Sequence, residues 1–523
     1  MNILAWHGLP DVHVLAAAIR RHATPLHLVI CNDDTVLPAF RLPENPSALE
    51  RELAQRLQSA TTCLHYHGAN YLQHLLPNVH GWWMNGHAAR HLHEHFSNIQ
   101  WQTKPLPQHS VGAVKPWFTP PPPQNANRVL VIGAGIAGAA TARAVAEHGL
   151  PVTVLEAEET AHAASGNRQG LLYAKISPHA TEQTELLLCG YGHTRRLLER
   201  LLPQQHAWSP CGVLHLNHDA AESKRNHALA KHHHHRHLYH AVNAAEASHL
   251  AGTAITESGL YWPQGAWLHP PALVTALLNH PLITLHTRTP LQHAKHDGQQ
   301  WRAHTPAGCF SGSHIVFCSG DGSRHIAQLQ GLPFQSIRGQ TSIAAASTYS
   351  QTLRCALSGS SYLAPAWQGQ HGYGATFSPH DNNSDWREAD ELANRQALAH
   401  LHVGLAASLN HTASSMQGHA AVRCDAPDHL PLVGELGQHT AMQTVYAKLA
   451  LDKNYRIHTP CPYWPNAYLN TAHGSRGLST APLCAASIAA RIAGTPDPLS
   501  QRLRQALHPN RTIIRALIRS KAD

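Results

Sequence analysis

Three glycines at GxGxxG spacing are the residues of this sequence that most directly indicate a chemistry. Gly133, Gly135 and Gly138 follow the apolar run Val129–Ile132, which is typical of a parallel strand buried on both faces. The first glycine allows a tight turn, the second lets the backbone approach a pyrophosphate, and the third lets a helix pack against the strand. The spacing therefore predicts a dinucleotide site.

An acidic residue completes this unit. A predicted helix over residues 136–147 points its N-terminal amides at the phosphates, Gly149 ends it, and Glu156 follows the next predicted strand, residues 152–155. A carboxylate in that position binds both ribose hydroxyls and repels a 2′-phosphate, so we expect FAD or NAD and not NADP. Glycine-rich turns also occur for packing alone, but here strand, turn, helix and acid come in the right order.

Two later segments favour FAD over NAD. Residues 314–320 (HIVFCSG) predict a second buried strand that ends in glycine, as the return crossing of a two-part flavin domain does. Residues 474–492 (GSRGLSTAPLCAASIAARI) predict a glycine loop that runs into a helix, which offers the cofactor a second set of N-terminal amides.

The composition limits the class of protein. A chain of 523 residues is too long for one core. Its net charge of +8 suits a polyanionic partner, and the alternative explanation is compositional drift, which the content of 47 histidines makes plausible. Ten cysteines without a CxxC pair indicate neither a zinc site nor a disulfide framework. No run is long enough to span a bilayer and no signal peptide is recognisable, so we expect a cytoplasmic protein.

The chain divides at a proline-rich segment. Residues 1–118 alternate predicted strands (26–31, 79–84) with helices (46–57), an α/β pattern without a glycine-rich nucleotide turn. Residues 119–127 include four consecutive prolines and predict an extended linker. Residues 128–523 form the larger α/β part. Within it, segments near 337–342, 361–364 and 372–377 predict an antiparallel sheet that floors a substrate pocket.

Two basic segments each have two readings. The run that includes His232–His235 could bind a metal, but a solvated helix face or loop is the favoured interpretation. The tail 502–521 predicts an amphipathic helix with Arg511, Arg515 and Arg519 on one side. That face is either a nucleic-acid contact or the ordinary solvated side of a docked terminal helix.

Five strings in order carry a resemblance to a known family. They are ASGNRQGLLY, YWPQGAWLHP, VRCDAPDHLPLVG, GSRGLSTAPLC and LHPNR. Residues 117–515 resemble the FAD-dependent half of the bifunctional enzymes that make 5-methylaminomethyl-2-thiouridine at the wobble position of tRNA, within the glycine oxidase and D-amino acid oxidase superfamily. The resemblance implies a two-part FAD-binding Rossmann-like domain with an antiparallel substrate sheet. It also implies oxidative removal of the carboxymethyl group from 5-carboxymethylaminomethyl uridine 34, which leaves 5-aminomethyl uridine and glyoxylate.

The resemblance also assigns site residues, without any metal. Arg423 is the first candidate to bind the substrate carboxylate, with a structural salt bridge to Asp425 or Asp428 as the competing reading; the other candidates are Arg338, Arg476, Tyr362 and Tyr173. For the flavin, the implied contacts are Arg168, Gln169, Gly170, Gly474, Ser475, Arg476, Gly477 and Leu478, beside Gly133, Gly135, Gly138 and Glu156. The implied FAD-binding parts are residues 128–190, 261–330 and 465–500, and the substrate parts are 191–260 and 331–464.

The N-terminal part departs from the family. In these enzymes a methyltransferase that uses S-adenosylmethionine precedes the oxidase, but residues 1–118 are about half the expected length and lack the acidic glycine-rich loop. Asn85 stands where the family has a catalytic carboxylate, and an amide cannot act as a base. We therefore read residues 1–118 as a degenerate, truncated methyltransferase-like domain kept for structure or RNA docking.

Two other functions share these features. A small-molecule oxidase of glycine, sarcosine or a D-amino acid would have the same fold, FAD and Arg423. A flavoprotein or RNA-binding scaffold without activity is a third reading, which the intact glycines, Glu156 and Arg423 disfavour. The basic charge and the family-specific strings favour tRNA over a free amino acid.

Overall fold

The computed structural model describes residues 1–32, 40–109, 112–122, 124–232, 235–409 and 418–519. Within these ranges the strands form five sheets, of which the largest three have five, six and nine strands. The predicted α/β class is confirmed.

The N-terminal unit is built on a five-stranded sheet. Its elements are β1 (Asn2–His7), α1 (Val12–Arg21), β2 (Leu26–Cys31), α2 (Ala48–Thr61), β3 (Asn70–Leu76), β4 (Val79–Met84), α3 (Gly86–Arg90) and β5 (Gln100–Trp101). The strand order is β3-β4-β2-β1-β5, with only the pairing of β3 to β4 antiparallel among these strands. Strands β2 and β4 are buried along their whole length, which explains their continuous apolar runs. The two strands predicted here are confirmed.

The larger part follows in chain order. Its elements are β6 (Val129–Ile132), α4 (Ile136–Ala146), β7 (Val152–Leu155), β8 (Gly170–Leu172), α5 (Glu182–Leu201), β9 (Trp208–Ser209), β10 (Val213–Leu216), α6 (Ala220–Ala230), β11 (His240–Val242), α7 (Ala244–Ala251), β12 (Gly259–Trp262), β13 (Ala266–Leu268), α8 (Pro270–Leu278), β14 (Ile283–His286), β15 (His293–His296), β16 (Trp301–Thr305), β17 (Gly308–Gly312), β18 (His314–Phe317), β19 (Gln335–Ala345), β20 (Ala356–Ser358), β21 (Tyr362–Leu363), β22 (Gln370–Gly374), β23 (Ser378–Pro379), α9 (Glu388–Leu401), α10 (Val403–Ser408), β24 (Ala420–Asp425), β25 (Leu432–Gly437), α11 (His439–Val445), β26 (Tyr463–Thr471), α12 (Gly477–Ala493), α13 (Gln501–Leu507) and α14 (Asn510–Arg519).

A six-stranded sheet carries the glycine turn. Its order is β14-β7-β6-β18-β26-β25, and the pairs from β14 to β26 are parallel. Helices α4 and α12 pack against each other beside this sheet. The return strand β18 pairs with β6, as the sequence predicts. Strand β25 joins antiparallel to β26, so this sheet also takes in a segment from the range 331–464 assigned to the substrate part.

A nine-stranded sheet forms the second layer. Its path is β11-β12-β10-β20-β21-β22-β19-β23, and β24 also pairs with β19. Strands β19, β21 and β22 pair antiparallel over the three segments that the sequence predicts as strands. Alternating side chains of such strands face opposite sides, so one face of β24 and β19 is directed at the glycine turn of the first layer.

The two parts of the chain are joined by buried polar contacts as well as by the linker. On the side of the larger part, Glu147 lies 2.9 Å from His74 Nε2 of the N-terminal unit and accepts a hydrogen bond from Arg200 Nη1 of its own part at 2.6 Å. A second contact joins His95 Nδ1 to the carbonyl of Asp497 at 2.7 Å. Burial alone would raise the pKa of Glu147, but the hydrogen bond with His74 and the charge of Arg200 lower it. The N-terminal unit is therefore a fixed part of this structure.

The histidine run differs from its prediction where it is described. Residues 233 and 234 lie outside the described ranges, but His235 is fully buried. Its Nε2 accepts from the backbone N–H of Tyr66 at 3.2 Å and its Nδ1 bonds Tyr239 Oη at 3.1 Å. The interpretation as a solvated face is wrong for this residue, because the N-terminal unit covers it.

The basic tail also differs from its prediction. It forms two helices, α13 and α14, which are separated by a segment containing Pro509, a residue that has no N–H for an i→i−4 bond. Arg511 is buried and pairs with Asp428 at 2.8 Å, and Arg515 pairs with the same carboxylate. The tail therefore does not present Arg511 to a nucleic acid. Residues 520 and 521 of the predicted helix lie outside the described ranges.

All ten cysteines are free thiols. Within the described residues, no helix combines the length and apolar character that crossing a membrane requires.

Candidate active site

One cavity of about 970 Å³ lies at the carboxyl ends of β6, β7, β18 and β26. Ligands of open α/β sheets bind at this edge. The cavity wall is completed by β24 and by the hairpin of β20 and β21. The same cavity therefore contacts both glycine segments and the substrate sheet that the sequence predicts.

The first glycine turn is shaped by close backbone contacts. Gly133 has a φ of +104°, which favours glycine. A Cβ at Gly138 would lie 1.8 Å from the carbonyl oxygen of Gly133, so α4 can pack here only without a side chain. At the start of α4, Ser165 Oγ accepts from the N–H of Ile136 at 3.0 Å. Gly133 and Gly135 line the cavity, while Gly138 serves the packing behind it.

Glu156 lies on the cavity wall with its carboxylate held by the backbone. Its Oε2 accepts from the N–H of Ala134 at 2.5 Å and its Oε1 from the N–H of Glu158 at 3.1 Å. Each carboxylate oxygen has two lone pairs, so each retains one for a ligand hydroxyl. This donor and acceptor arrangement fits the ribose of a dinucleotide.

The second glycine segment precedes α12. Gly474, with a φ of +56°, lines the cavity together with Ser475, Gly477 and Leu478. Arg476 is not part of the lining, and burial lowers the pKa of its guanidinium, a shift that the charge of Asp425 partly offsets. Four of the five residues implied here thus face the cavity.

Arg423 is the sole arginine or lysine that lines the cavity within the described part of the chain. Its competing reading, a salt bridge to Asp425 or Asp428, is wrong. Asp425 pairs with His429 at 2.7 Å and Asp428 with Arg511 at 2.8 Å. Burial lowers the pKa of Arg423, but a guanidinium remains charged at neutral pH. Among the described residues, no carboxylate therefore pairs with this cation in the cavity wall.

Arg338, the alternative arginine, is in a different environment. It is fully buried outside the cavity lining and forms an ion pair with Asp390. Its Nη2 also donates to the carbonyl of Asp385 at 2.5 Å and to Gln340 Oε1 at 3.1 Å. These contacts occupy the guanidinium, so Arg338 does not reach the site.

Both candidate tyrosines line the cavity. Tyr362 donates to the carbonyl of Gln169 at 3.0 Å, and Tyr173 Oη lies 2.8 Å from Ser358 Oγ. Burial raises the pKa of both phenols. Both therefore remain protonated at neutral pH and act as hydrogen-bonding groups.

Two of the three residues implied beside the flavin ring turn away. Arg168 donates to the carbonyl of Trp367 at 2.7 Å and lies 4.6 Å from its ring centroid. The side chain of Gln169 bonds Pro365 and Gly372 at 3.0 and 2.7 Å. Of the three, Gly170 alone lines the cavity.

His473 is a cavity residue that the sequence reasoning missed. It bonds Thr480 Oγ1 at 2.9 Å and Asn470 Oδ1 at 3.0 Å, and burial lowers its pKa to about 3. A neutral imidazole is therefore fixed next to Gly474. Its position directly before the GSRG segment was the available signal.

Comparison with known proteins agrees with this geometry. Residues 128–491 match the family described as FAD dependent oxidoreductase. The chain belongs to this family. Like the other FAD-dependent oxidoreductases it uses FAD, and the glycine cradle, the carboxylate of Glu156 and the size of the cavity fit that group.

The curated relatives of this FAD-dependent oxidoreductase carry one name, tRNA 5-methylaminomethyl-2-thiouridine biosynthesis bifunctional protein. The relative from Chromobacterium violaceum is 39% identical over 450 residues, which are 84% of this chain and 66% of that protein. The one from Pseudomonas putida is 40% identical over 78% of this chain and 63% of its own length. The one from Pseudomonas fluorescens is 36% identical over 94% and 75%. The chain thus spans about two thirds of the length of most of these relatives.

Solved structures of low identity share the fold. Glycine oxidase from Bacillus cereus superposes with a TM-score of 0.56 at 17% identity, over 70% of this chain and 95% of that one. Iminodiacetate oxidase from Chelativorans sp. BNC1 gives 0.56 at 20% identity, over 72% and 98%.

Proposed function

We propose that this chain removes the carboxymethyl group from 5-carboxymethylaminomethyl(-2-thio)uridine at position 34 of tRNA. The products are 5-aminomethyl uridine and glyoxylate. The observation that carries the proposal is Arg423, a cation in the cavity wall with which no carboxylate of the described part of the chain pairs. The substrate has a carboxylate one carbon from its amine, and a guanidinium can bind a carboxylate through two parallel hydrogen bonds.

The residues around Arg423 hold the substrate for oxidation. FAD, when bound, supplies the two-electron oxidation of the CH2 group between amine and carboxylate. Arg423 fixes the carboxylate end, and Tyr362 lies in the same wall with its hydroxyl directed to Gln169. The resulting imine is split by water into the aminomethyl group and glyoxylate, so no side-chain nucleophile is required.

Three features support tRNA as the substrate rather than a free amino acid. The curated relatives are named for tRNA thiouridine biosynthesis. The net charge of +8 favours association with a polyanion. Glycine oxidase and iminodiacetate oxidase share only the fold at their level of identity.

For the N-terminal unit we propose a role in docking the RNA, without methyl transfer. Asn85, at the end of β4, is buried and its side-chain oxygen accepts from Trp83 Nε1 at 3.0 Å. An amide held in this way offers no base for a methyl transfer. Transfer of label from S-adenosylmethionine to undermodified tRNA by the purified protein would contradict this proposal.

Nucleoside mass spectrometry tests the proposed function in cells. In tRNA from cells that lack this protein, we expect 5-carboxymethylaminomethyl uridine to accumulate. Accumulation of 5-aminomethyl uridine instead would show that the missing step is methylation. Unchanged nucleosides would contradict the proposed function.

A further inference from the structure

A chain of hydrogen bonds leads away from the cavity wall at Tyr173. Tyr173 Oη lies 2.8 Å from Ser358 Oγ, and Ser358 Oγ lies 3.2 Å from His215 Nδ1. The other ring nitrogen, Nε2, lies 2.7 Å from Glu222 Oε2. Tyr173 and Ser358 line the cavity, whereas His215 is buried on β10 behind them. These hydrogen bonds thus connect the cavity with helix α6.

The far end of this chain reaches the surface. Glu222 pairs with Lys175 Nζ at 3.1 Å, and the Lys175 side chain is 42% exposed. Arg225 pairs with Glu222 and its Nη2 lies 2.9 Å from His215 Nε2. Burial alone would raise the pKa of Glu222. This pKa is nevertheless lowered to about 2 by the hydrogen bonds from His215 and Lys175 and by the charge of Arg225. Glu222 is therefore an ionised carboxylate, which can only accept hydrogen bonds.

The ionised carboxylate gives the chain a direction. Glu222 can only accept and Arg225 can only donate at Nε2, and the shorter contact, 2.7 Å to Glu222 against 2.9 Å to Arg225, assigns the proton to Nε2. With this tautomer, Nδ1 accepts from the Ser358 hydroxyl and Ser358 accepts from Tyr173. A lone pair of Tyr173 Oη is then available to a donor in the cavity. Burial lowers the pKa of His215, which keeps its imidazole neutral at pH 7. The one further titratable ring near it in the described structure is His218, with centroids 6.2 Å apart.

These hydrogen bonds begin in the wall of the cavity that also contains Arg423. Ser358 and Tyr362 are cross-strand partners in the hairpin of β20 and β21, and both line the cavity. Burial raises the pKa of Tyr362, and the charge of Arg423 partly offsets this rise. A substrate whose carboxylate is bound by Arg423 carries its amine on the adjacent carbon, inside the same cavity whose wall contains Tyr173.

We propose that Tyr173, Ser358 and His215 form a relay that removes the proton from the substrate ammonium before oxidation. The N–H bond breaks, its electron pair stays on nitrogen, and the proton passes to Tyr173 Oη. Tyr173 passes its own proton to Ser358, and Ser358 passes its proton to His215 Nδ1. The imidazolium is paired with Glu222, through which its Nε2 proton leaves to solvent. No electrons are transferred in this step, and it rests on the proposed function because it requires an amine substrate.

Two variants interrupt the relay at different points. Ser358→Ala removes the central hydroxyl, and His215→Gln removes the acceptor. Ser361→Ala is the matched control, because Ser361 lies in the same hairpin, donates to the carbonyl of Gly374 at 3.0 Å and is not part of the cavity lining. Thermal unfolding of each protein verifies that it is folded; if His215→Gln does not fold, Ser358→Ala decides the test.

The measurement is the anaerobic rate of flavin bleaching after mixing with tRNA that carries the carboxymethylaminomethyl uridine, from about pH 6 to about pH 10. At neutral pH we expect the control to match the wild type and both relay variants to be about 10²-fold slower. The deficit should close at high pH, where the amine is already neutral in solution. Affinity for an anticodon stem-loop whose reacting carbon carries two methyl groups, and so has no hydride to lose, should be unchanged.

Three results would overturn the relay. They are equal rates for all four proteins, a deficit that is the same at every pH, and a loss of stem-loop affinity as large as the loss of rate. If the wild type itself leaves the flavin oxidised with this tRNA, the proposed function fails and the relay fails with it. That outcome is distinct, because it appears in the wild type as well as in the variants.

Discussion

The guanidinium of Arg423 lies directly against Gly339. A methyl group built on Gly339 would stand 2.5 Å from Nη2 and 2.6 Å from Cζ of Arg423. The two residues lie on adjacent strands, where β24 pairs with β19. The absence of a side chain at position 339 therefore sets where the carboxylate-binding cation lies.

Gly339→Ala should consequently weaken the binding of the carboxylate without unfolding the protein. The added methyl group meets the end of a flexible side chain and not the backbone, so the arginine moves and the fold remains. We expect kcat/KM to fall by roughly 10²-fold, close to the effect of Arg423→Met, since losing one partner of a buried charge pair costs about 2–5 kcal/mol. Steady-state kinetics with modified tRNA, beside thermal unfolding, measures both. Full activity in Gly339→Ala would contradict this role of Arg423.

Arg338→Met should affect stability rather than chemistry. Arg338 is fully buried and its loss leaves Asp390 without its partner. Breaking a buried ion pair costs about 3–5 kcal/mol, and we expect a decrease of that order in the free energy of unfolding by urea. In the fraction that remains folded, KM for tRNA should be unchanged. A raised KM at unchanged stability would place Arg338 in the site.

Gly138→Ala should abolish FAD retention. The Cβ would lie 1.8 Å from the carbonyl oxygen of Gly133, which is a backbone atom and not the end of a flexible side chain. Helix α4 must then shift away from the turn that faces the phosphates. Flavin absorbance of the purified protein is the measurement. Gly112→Ala, where a Cβ meets nothing within 4 Å, is the control and should stay yellow.

The buried pair of Asp428 and Arg511 predicts a pH dependence of stability. Burial alone would raise the pKa of Asp428, but the hydrogen bond and the charge of Arg511 lower this pKa to about 2. At pH values above about 3.9, which is the pKa of an aspartate in the unfolded chain, a carboxyl group with a lowered pKa stabilises the fold. This contribution is lost as the pH falls to about 2. The contribution is roughly 2 kcal/mol. In Asp428→Asn, denaturant unfolding should lack this part of the pH dependence; an unaltered profile would contradict the assignment.

Local sequence predicted the features that depend on neighbouring residues. The strand, glycine turn, helix and acid of residues 129–156 are contiguous, so their spacing suffices. The orientation of Arg168 and Gln169 did not follow from spacing, because their partners Trp367 and Pro365 lie almost 200 residues away. The position of strand β25 in the six-stranded sheet did not follow from the sequence for the same reason, because its pairing with β26 is a tertiary contact.

The C-terminal tail shows a second limit. Helix α14 is amphipathic, as the sequence predicts, and Ile513 and Ile514 are buried in it. It could not show that Arg511 is buried as well, because a charged face is solvated unless a distant carboxylate meets it. Asp428 does so here, and this removes Arg511 from the face that the sequence left open as a nucleic-acid contact or as the solvated side of a docked helix.

The most direct test of the central claim uses the purified, FAD-loaded protein and tRNA that carries 5-carboxymethylaminomethyl uridine. After anaerobic mixing, flavin absorbance and nucleoside mass spectrometry are followed on the same sample. We predict that the flavin bleaches, that 5-aminomethyl uridine appears in equal amount with glyoxylate, and that Arg423→Met does neither. An unchanged nucleoside, together with flavin bleaching by free glycine at a comparable rate, would contradict the account.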